Sequence, residues 1–499
     1  MPPGAAAVPS GAQGKPARAR GRRTAIVSGL SVLVLIVLSV AVLIVRPGPV
    51  DGWLSAEPAT SPSSRPTPDP APTPVLAAAA AEGGGPTSTG VAAAIGSLVS
   101  APALGNQVNI SVVDGATGDV LYEKNPDTLT TPASTTKLLT AATVLAARGT
   151  SYRLTTRAVA GDEPGEVVLV GGGDPTLSID ADGQFPGAAR LDVLAEQVKK
   201  ALAGTAPTKV SIDTTLFSGP ETGAGWDSDL IPAGQVSRIQ SLMTNAGRVE
   251  PVHNDFGGDP RFADPAVAAG RAFAGHLGVP TTTITRGKAP AAAPPASAPA
   301  PAPAGAAVAA GTELGAVQSP PMVHLVDWML EQSDNVVSEA LARQVALAAG
   351  QEPSFDGAAA AMLAEVGKLG LTAEEAVLHD ASGLSRKNRI SPTLLTDLLE
   401  LAAAGSNPAL STMFGGLPVA GWSGTLRTRF VTPEPNQAGQ GLVRAKTGSL
   451  SGVNAISGQL ITRDGQLVLF AIMAIGGEST AARQALDKIA TKLVSCGCA

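Results

Sequence analysis

The chain has 499 residues, enough for two to four domains, and carries a formal net charge of −6. A charge this small for this length gives no sign of a nucleic-acid partner, so none is predicted. The histidines show no metal-ligand spacing, and we predict neither a metal nor any other cofactor.

The N-terminal region combines a basic segment with an uncharged apolar run. Residues 1–23 contain basic but no acidic residues, and the stretch from Ala25 to Val45 contains no charged residue. At about 1.5 Å per residue this run spans a hydrocarbon core of about 30 Å. The basic flank keeps the N-terminus cytoplasmic, which predicts a single-pass anchor in the cell membrane with everything after Arg46 extracytoplasmic. A cleaved signal peptide is the alternative, but its apolar region is usually only about 7–15 residues long.

Two stretches of low complexity follow. Residues 46–90 are rich in Pro, Ser and Thr and predict an extended linker. Residues 288–311 are rich in Pro and Ala and predict a long surface loop inside the globular part. Cys496 and Cys498 lie at the end of the chain, where we interpret them as part of a frayed tail, with a local or intermolecular disulfide as the alternative.

The first motif, Ser134-Thr-Thr-Lys137, follows two strands predicted within residues 107–123. The pattern from Lys137 to Ala147 predicts a helix, and Pro132 and Ser134 are suited to open it. Serine and lysine three positions apart lie on one side of a helix, so the lysine can take the proton of the serine hydroxyl if burial lowers its pKa. The pair alone is a weak signal, because a capped amphipathic helix with an exposed lysine explains it equally well.

Two further motifs lie far along the chain. A Ser-Asp-Asn sequence at 333–335 interrupts the helical pattern of residues 324–350, which predicts a turn that presents polar side chains to a cleft. A Lys-Thr-Gly sequence at 446–448 falls on the first of three predicted strands, where glycine lets a substrate backbone approach the strand edge. The ordinary explanation of the Ser-Asp-Asn motif is a corner between two helices, and that of the Lys-Thr-Gly motif is an exposed lysine on an edge strand. All of these explanations would have to coincide in this order, so we interpret the set as a serine acyl-transfer site.

With these motifs the chain resembles the D-alanyl-D-alanine carboxypeptidase/endopeptidase family of low-molecular-mass class C penicillin-binding proteins. Four further segments carry the likeness: Pro132-Ala133-Ser134, which opens the first motif, VGGGDPTLS at 170–178, DTTLFSGP at 213–220 and SGLSRKNRIS at 382–391. The likeness extends from about Val108 to Val494. One departure is Ala381, which stands before the Ser-Gly-Leu-Ser run where the family often has glycine.

The resemblance implies an α+β fold with a serine β-lactamase/transpeptidase-like domain, in which helices flank an antiparallel sheet and a helical lobe carries the first two motifs. About 200 residues separate Ser134 from Ser333, which leaves room for a large inserted block that is characteristic of this family and unlike the compact class A β-lactamases. The predicted organisation is a basic cytoplasmic tail (1–24), a transmembrane helix (25–45), a linker (46–90), a catalytic domain in two pieces (91–150 and 320–499), an inserted block (151–287) and a low-complexity loop (288–319).

The resemblance also implies a role for each residue of the site. The implied catalytic residues are Ser134 as nucleophile, Lys137 as general base, Ser333 as proton relay and Asn335 as partner of the substrate amide. The implied substrate-binding residues are Lys446, Thr447, Gly448 and Ser449, of which Ser449 also completes an oxyanion hole with Ser134. The implied reaction is serine D-Ala-D-Ala carboxypeptidase or endopeptidase action on peptidoglycan stem peptides, inhibited by β-lactams that acylate Ser134.

Three other functions use the same machinery. A β-lactamase would need a deacylating glutamate, for which Glu434 is the candidate just before the third motif. A D-amino-acid esterase or amidase would spare cell-wall peptides. A non-catalytic protein would bind only muropeptides or assembly partners, but the intact set of motifs argues against this last function.

Overall fold

The computed structural model describes residues 85–254, 257–282, 284–292 and 308–495, all within one structural unit, Ala80–Ala499. No helix within these ranges is long and apolar enough to cross a bilayer. The predicted tail and transmembrane helix lie outside the described residues, as do Cys496 and Cys498. The predicted linker boundary at residue 90 is too late, because a helix begins at Ser88, where the Thr87 hydroxyl caps it by accepting from Gly90 N.

Helices and strands alternate along the chain in a mixed α+β order. The α-helices of the described ranges are α1 (Ser88–Ile95), α2 (Thr136–Arg148), α3 (Leu191–Ala201), α4 (Pro265–Leu277), α5 (Met322–Glu331), α6 (Asn335–Ala348), α7 (Phe355–Lys368), α8 (Pro392–Ala403), α9 (Pro408–Ser411) and α10 (Ser479–Ser495). The strands are β1 (Gly105–Asp114), β2 (Val120–Lys124), β3 (Thr155–Ala160), β4 (Glu166–Val170), β5 (Lys209–Asp213), β6 (Thr285–Arg286), β7 (Glu313–Gln318), β8 (Ala376–Val377), β9 (Arg389–Ile390), β10 (Val443–Leu450), β11 (Val453–Ile461) and β12 (Leu467–Gly476).

The main sheet is antiparallel and has the strand order β10-β11-β12-β1-β2. Its strand β12 is buried on both faces, because Phe470 and Ile472 pack with α1 and α10 while Ala471 and Met473 pack with the helical lobe. Alternate side chains of a strand point to opposite faces, so a continuous apolar run suits a strand covered on both sides. The order leaves β10, which carries the third motif, as an edge strand facing the helical lobe.

The helical lobe is built around α2, which is buried on nearly all sides from Thr136 to Leu145. It packs with α5, α6, α7 and α8 in one continuous apolar core. A helix that is apolar or small-polar all round belongs inside a lobe rather than on its surface. Lys137 is therefore carried into the interior by the helix to which it belongs.

A second sheet, with the order β6-β5-β4-β3-β7, is built from residues that lie between the first two motifs. Helices α3 and α4 pack on it around a separate apolar core. The runs GEVVLVGG and TKVSIDTT form β4 and β5, which pair in parallel. The predicted low-complexity loop at 288–319 ends earlier than expected, because Glu313–Gln318 is strand β7 and pairs with β3. Its sequence, ELGAVQ, lacks the regular alternation that signals a strand.

Candidate active site

The first motif enters the site through a short turn before the long helix. Ser134 lies in a 3-10 turn, Ala133–Thr135, and α2 begins only at Thr136. The expectation that Ser134 opens the α-helix is therefore wrong by one short turn. Thr135 N and Oγ1 both bond to the Pro132 carbonyl and tighten this turn. Lys137 Nζ donates to Ser134 Oγ at 3.0 Å, so the predicted contact between base and nucleophile is present.

The Lys137 amine is completely buried and has three hydrogen-bond acceptors. Besides Ser134 Oγ, it donates to Asn335 Oδ1 at 2.7 Å and to the Ser382 carbonyl at 2.6 Å. Burial lowers the pKa of Lys137 to about 8, against the opposing negative charges of Asp380, Glu339 and Asp334. With a pKa of about 8, about a tenth of the amine is neutral at pH 7, and the neutral form is the one that a general base requires.

The second motif forms the turn between α5 and α6. Ser333 has a φ of 57°, in the left-handed region that an L residue adopts only when its surroundings impose it. Asp334 is the N-cap of α6 and accepts from Val336 N at 3.0 Å and Val337 N at 3.1 Å. This cap turns the side chains on both sides of Asp334 towards the cleft. Asn335 is held there, since its Nδ2 donates to the Gln235 carbonyl at 2.8 Å.

The third motif lies on the edge strand β10. Lys446 is fully buried, and its Nζ donates to Ser333 Oγ at 2.9 Å and to the Thr447 carbonyl at 2.9 Å. Burial lowers the pKa of Lys446 well below its usual value, and the positive charge of Lys137 lowers it further. Thr447 Oγ1 lies 2.9 Å from Thr425 Oγ1.

The structure gives a second reason for glycine at position 448, besides the predicted approach of a substrate backbone. A Cβ at this position would lie 2.5 Å from the Pro132 carbonyl oxygen and 3.2 Å from Ala133 Cβ. The close neighbour is thus the turn that carries Ser134, and not only a substrate backbone. Glycine brings the first and third motifs into direct contact.

The three motifs share one cleft with a volume of about 460 Å³. Predicted site residues that line it are Ser134, Ser333, Asn335, Thr447 and Ser449. Lys137 and Lys446 lie beneath its floor and reach it through Ser134 and Ser333. The arrangement places a hydroxyl group against a buried amine at one end of the cleft, and a second buried amine beside hydroxyl groups at the other.

Residues 91–279 and 302–493 match the family model described as the D-Ala-D-Ala carboxypeptidase 3 (S13) family. The chain belongs to the S13 family. It is 37% identical over 418 residues to a carboxypeptidase of Mycobacterium tuberculosis, a match that covers 83% of this chain and 85% of the relative. It is 36% identical over 488 residues to carboxypeptidase DacB of Mycolicibacterium smegmatis, covering 97% of this chain and 99% of the relative.

The fold is also similar to a solved structure, penicillin binding protein 4 (DacB) of Haemophilus influenzae. The TM-score is 0.61 at 21% identity, over 81% of this chain and 98% of that chain. The S13 membership and the carboxypeptidase relatives together identify a serine-type D-Ala-D-Ala carboxypeptidase. The other functions considered for these motifs are not favoured.

The position of Glu434 also argues against β-lactamase chemistry in this S13 carboxypeptidase. The residue is exposed, begins a 3-10 segment, Glu434–Gly439, and does not line the cleft. A deacylating glutamate must reach the water that attacks the acyl-enzyme. Glu434 is a loop residue, as its sequence context predicts.

Several residues of the S13 site are not identifiable from the sequence. The Ser382 carbonyl contacts the base, the Gln235 carbonyl holds Asn335, and Thr425 contacts Thr447. Only Ser382 lies in a segment that the family resemblance marks. Backbone carbonyl contacts leave no signature in side-chain identity, so the sequence offers no means of finding them.

Ala381, the departure from the family pattern, is accommodated without strain. It is 2% exposed, and its φ is not positive. The next residue but one, Gly383, has a φ of 84°, and a Cβ there would lie 1.9 Å from the Ala133 carbonyl oxygen. Glycine is therefore needed at 383, where the turn reverses against the nucleophile loop, and not at 381.

A buried ion network anchors the second motif to the inserted block. Arg248 Nε donates to Asp259 at 2.7 Å, and its Nη2 donates to Asp334 at 3.0 Å. All three side chains are at most 3% exposed. Burial alone would raise the pKa of Asp334, but Arg248 and then Arg261 lower it well below its usual range. Asp334 therefore stays ionised while it caps α6, and no pattern in the sequence connects it to Arg248.

Proposed function

We propose that this carboxypeptidase removes the terminal D-alanine of peptidoglycan stem peptides through an acyl-enzyme on Ser134. The observation that carries the proposal is the contact of the buried Lys137 amine with Ser134 Oγ at 3.0 Å. When the amine is neutral, its two N–H groups donate to Asn335 Oδ1 and to the Ser382 carbonyl. Its lone pair then faces Ser134 Oγ and can take only the proton of that hydroxyl.

In the acylation step, Ser134 Oγ transfers its proton to Lys137 Nζ and attacks the carbonyl carbon between the two D-alanines. The backbone N–H groups of Ser134 and Ser449 are the proposed donors to the oxyanion. The C–N bond then breaks, and the leaving amine takes a proton from Ser333. Lys446 Nζ, which donates to Ser333 Oγ at 2.9 Å, can return that proton. Water then attacks the ester carbonyl, and one of its protons returns to Lys446 through Ser333. Lys137 gives its extra proton back to Ser134 Oγ as the ester C–O bond breaks, which releases the shortened peptide and regenerates Ser134.

The other end of the cleft suits the terminal carboxylate of the substrate. Lys446 is buried without an acidic side chain among its hydrogen-bond partners, and hydroxyl groups of Thr447 and Ser449 line the cleft beside it. A bound carboxylate would compensate the buried charge and raise the pKa of Lys446. Asn335 is the proposed partner of the substrate amide, and Gly448 keeps the strand close to the nucleophile turn.

We also propose that β-lactams acylate Ser134 and that the enzyme works outside the cytoplasm. A solved relative, penicillin binding protein 4 of Haemophilus influenzae, is described in complex with a β-lactam. The basic N-terminal segment followed by the uncharged run from Ala25 to Val45 supports a single-pass membrane anchor. An extracytoplasmic position matches the location of cell-wall peptides.

The first test is the intact mass of the full-length chain after incubation with benzylpenicillin. The wild type should gain the mass of one penicilloyl group, and Ser134→Ala should gain none, because the hydroxyl that forms the ester is absent. A covalent adduct in Ser134→Ala would refute the assignment of the nucleophile. Rapid loss of the antibiotic without an adduct would indicate a β-lactamase.

Lys446→Ala should impair substrates that carry a terminal carboxylate. For a peptide ending in D-Ala-D-Ala, we expect kcat/KM to fall by about 10²-fold or more, since a buried charge-assisted contact is worth about 3 kcal/mol. Hydrolysis of a thioester of the same acyl group that lacks the terminal carboxylate should fall much less, because its thiolate leaves without taking a proton from Ser333. The ratio of the two kcat/KM values is the measurement, and an equal loss on both substrates would contradict carboxylate binding by Lys446.

A further inference from the structure

Beneath the catalytic lysine, a loop of residues 380–385 packs against α6. Its Ser382 carbonyl accepts from Lys137 Nζ at 2.6 Å, so the position of this loop determines where the amine lies. The loop is fully buried from Asp380 to Ser385, and its backbone groups need partners inside the protein. Glu339 supplies two of them, and Asp380, on the loop itself, supplies two more.

Glu339 holds the loop by its backbone. Its Oε1 accepts from Ala381 N at 3.1 Å and from Ser382 N at 2.8 Å. The Ala381 carbonyl in turn accepts from Ser338 Oγ at 2.8 Å and from Thr140 Oγ1 at 2.7 Å. The loop is thus fastened to α6 and α2, the two helices that also carry Asn335 and Lys137.

Glu339 and Asn335 lie four residues apart on α6 and therefore share one face of the helix. Asn335 contacts the lysine amine directly, whereas Glu339 reaches it through the Ser382 carbonyl. One helix thereby controls two of the three acceptors around Lys137. Glu339 does not line the cleft, so it has no access to a substrate.

We propose that Glu339 is a positioning residue for acylation. It fixes the Ser382 carbonyl, and it contributes a negative charge near Lys137. Together, the carbonyl and the charge hold the Lys137 amine at Ser134. The proposal rests on the acyl-enzyme chemistry of the proposed function. Glu339 is a buried carboxylate outside the three motifs, and this positioning role accounts for its presence beside the catalytic lysine.

The charges around this group are few. Asp380 on the loop and Asp334 at the start of α6 are negative and, with Glu339, oppose the effect of burial on Lys137. Burial raises the pKa of Glu339, Asp380 raises it further, and Arg343 one turn along α6 lowers it. Lys446 on β10 is the other cation that interacts with Lys137.

Glu339→Gln is the decisive variant, because it keeps the shape of the side chain and an oxygen for the two N–H groups. Burial lowers the pKa of Lys137, and the negative charge of Glu339 opposes this shift. Without that charge, the pKa of Lys137 should fall further. The acidic limb of the second-order rate constant for acylation by benzylpenicillin, measured between pH 5 and 10, should move to lower pH by about half a unit or more. A purely structural role would lower the rate without moving the limb.

Glu196→Gln on α3 is the matched control, since Glu196 is 71% exposed, pairs with Lys199 on the surface and should keep the wild-type profile. Glu339→Ala removes the acceptor of two buried N–H groups, and its acylation rate should fall by about tenfold or more at all pH values. A Glu339→Gln profile identical to that of the wild type would overturn the proposal.

A third variant keeps the test decisive if the Glu339 variants do not fold. Ser338→Ala removes one of the two hydroxyl groups on the Ala381 carbonyl and changes no charge. It should slow acylation several-fold with an unmoved acidic limb, and a wild-type rate in this variant would refute positioning by the loop. Failure of the wild type to form any adduct would instead refute the proposed function, and this proposal with it.

Discussion

Lys137→Ala should form the penicilloyl adduct about 10²–10⁴-fold more slowly than the wild type, which is the usual contribution of a positioned general base. The expectation follows from the 3.0 Å contact between Lys137 Nζ and Ser134 Oγ. Since the pKa of Lys137 is lowered to about 8, the wild-type acylation rate should rise with pH and level off above about pH 8. The measurement is the second-order rate constant for acylation, followed by intact mass over time.

Two controls separate base catalysis from loss of charge or of fold. Lys137→Arg keeps a positive charge but cannot lose its proton, so it should be as slow as Lys137→Ala. Lys199→Ala, on the surface of α3, should behave as the wild type. An unchanged acylation rate in Lys137→Ala, with a native circular-dichroism spectrum, would eliminate Lys137 as the base.

Arg248→Met should give the largest loss of stability among the substitutions considered. It leaves Asp259 and Asp334 buried without their main cationic partner, and breaking a buried ion pair in this way costs about 3–5 kcal/mol. Because Asp334 also caps α6, the turn that carries Ser333 should loosen, and acylation should slow together with the loss of stability. The free energy of unfolding, from denaturant titration at neutral pH, is the measurement.

Arg238→Met is the matched control for that substitution. Arg238 lies in the same segment, but its side chain is 48% exposed and its ion pair with Glu221 is longer, at 3.6 Å. Exposed pairs contribute about 0–1 kcal/mol, so this variant should be nearly as stable as the wild type. A similar small loss in Arg248→Met would contradict a structural role for the buried network.

Gln235 and the buried ion network of Arg248 connect residues between the first two motifs with the second motif. Gln235 and Arg248 both lie between the first two motifs in sequence, and both contact the second motif. Trp226, from the same stretch, donates to Asp380 at 2.7 Å on the loop beneath Lys137. The block therefore supplies part of the wall and support of the active site.

Much of the candidate site could be predicted because its chemistry is local. Ser134 and Lys137 are three positions apart, so their contact needs only a helical backbone. The strands of the third motif follow from apolar runs with turn residues between them, and they pair as neighbours in β10, β11 and β12. The mixed α+β class, which the family resemblance implies, is confirmed by the structure.

Other features required the tertiary structure, because their cause lies far away along the chain. The sequence predicts a loop where strand β7 lies, since ELGAVQ becomes a strand only by pairing with β3 about 150 residues earlier. Glycine is required at position 448 because the Pro132 carbonyl lies close to it. The position of the Lys137 amine depends on its hydrogen bond to the Ser382 carbonyl. By itself the sequence determined which hydroxyl, amine and amide groups the three motifs supply, because side-chain identity is a local property. Only the tertiary structure decided what surrounds them, because burial, charge and backbone contacts arise from segments that meet on folding.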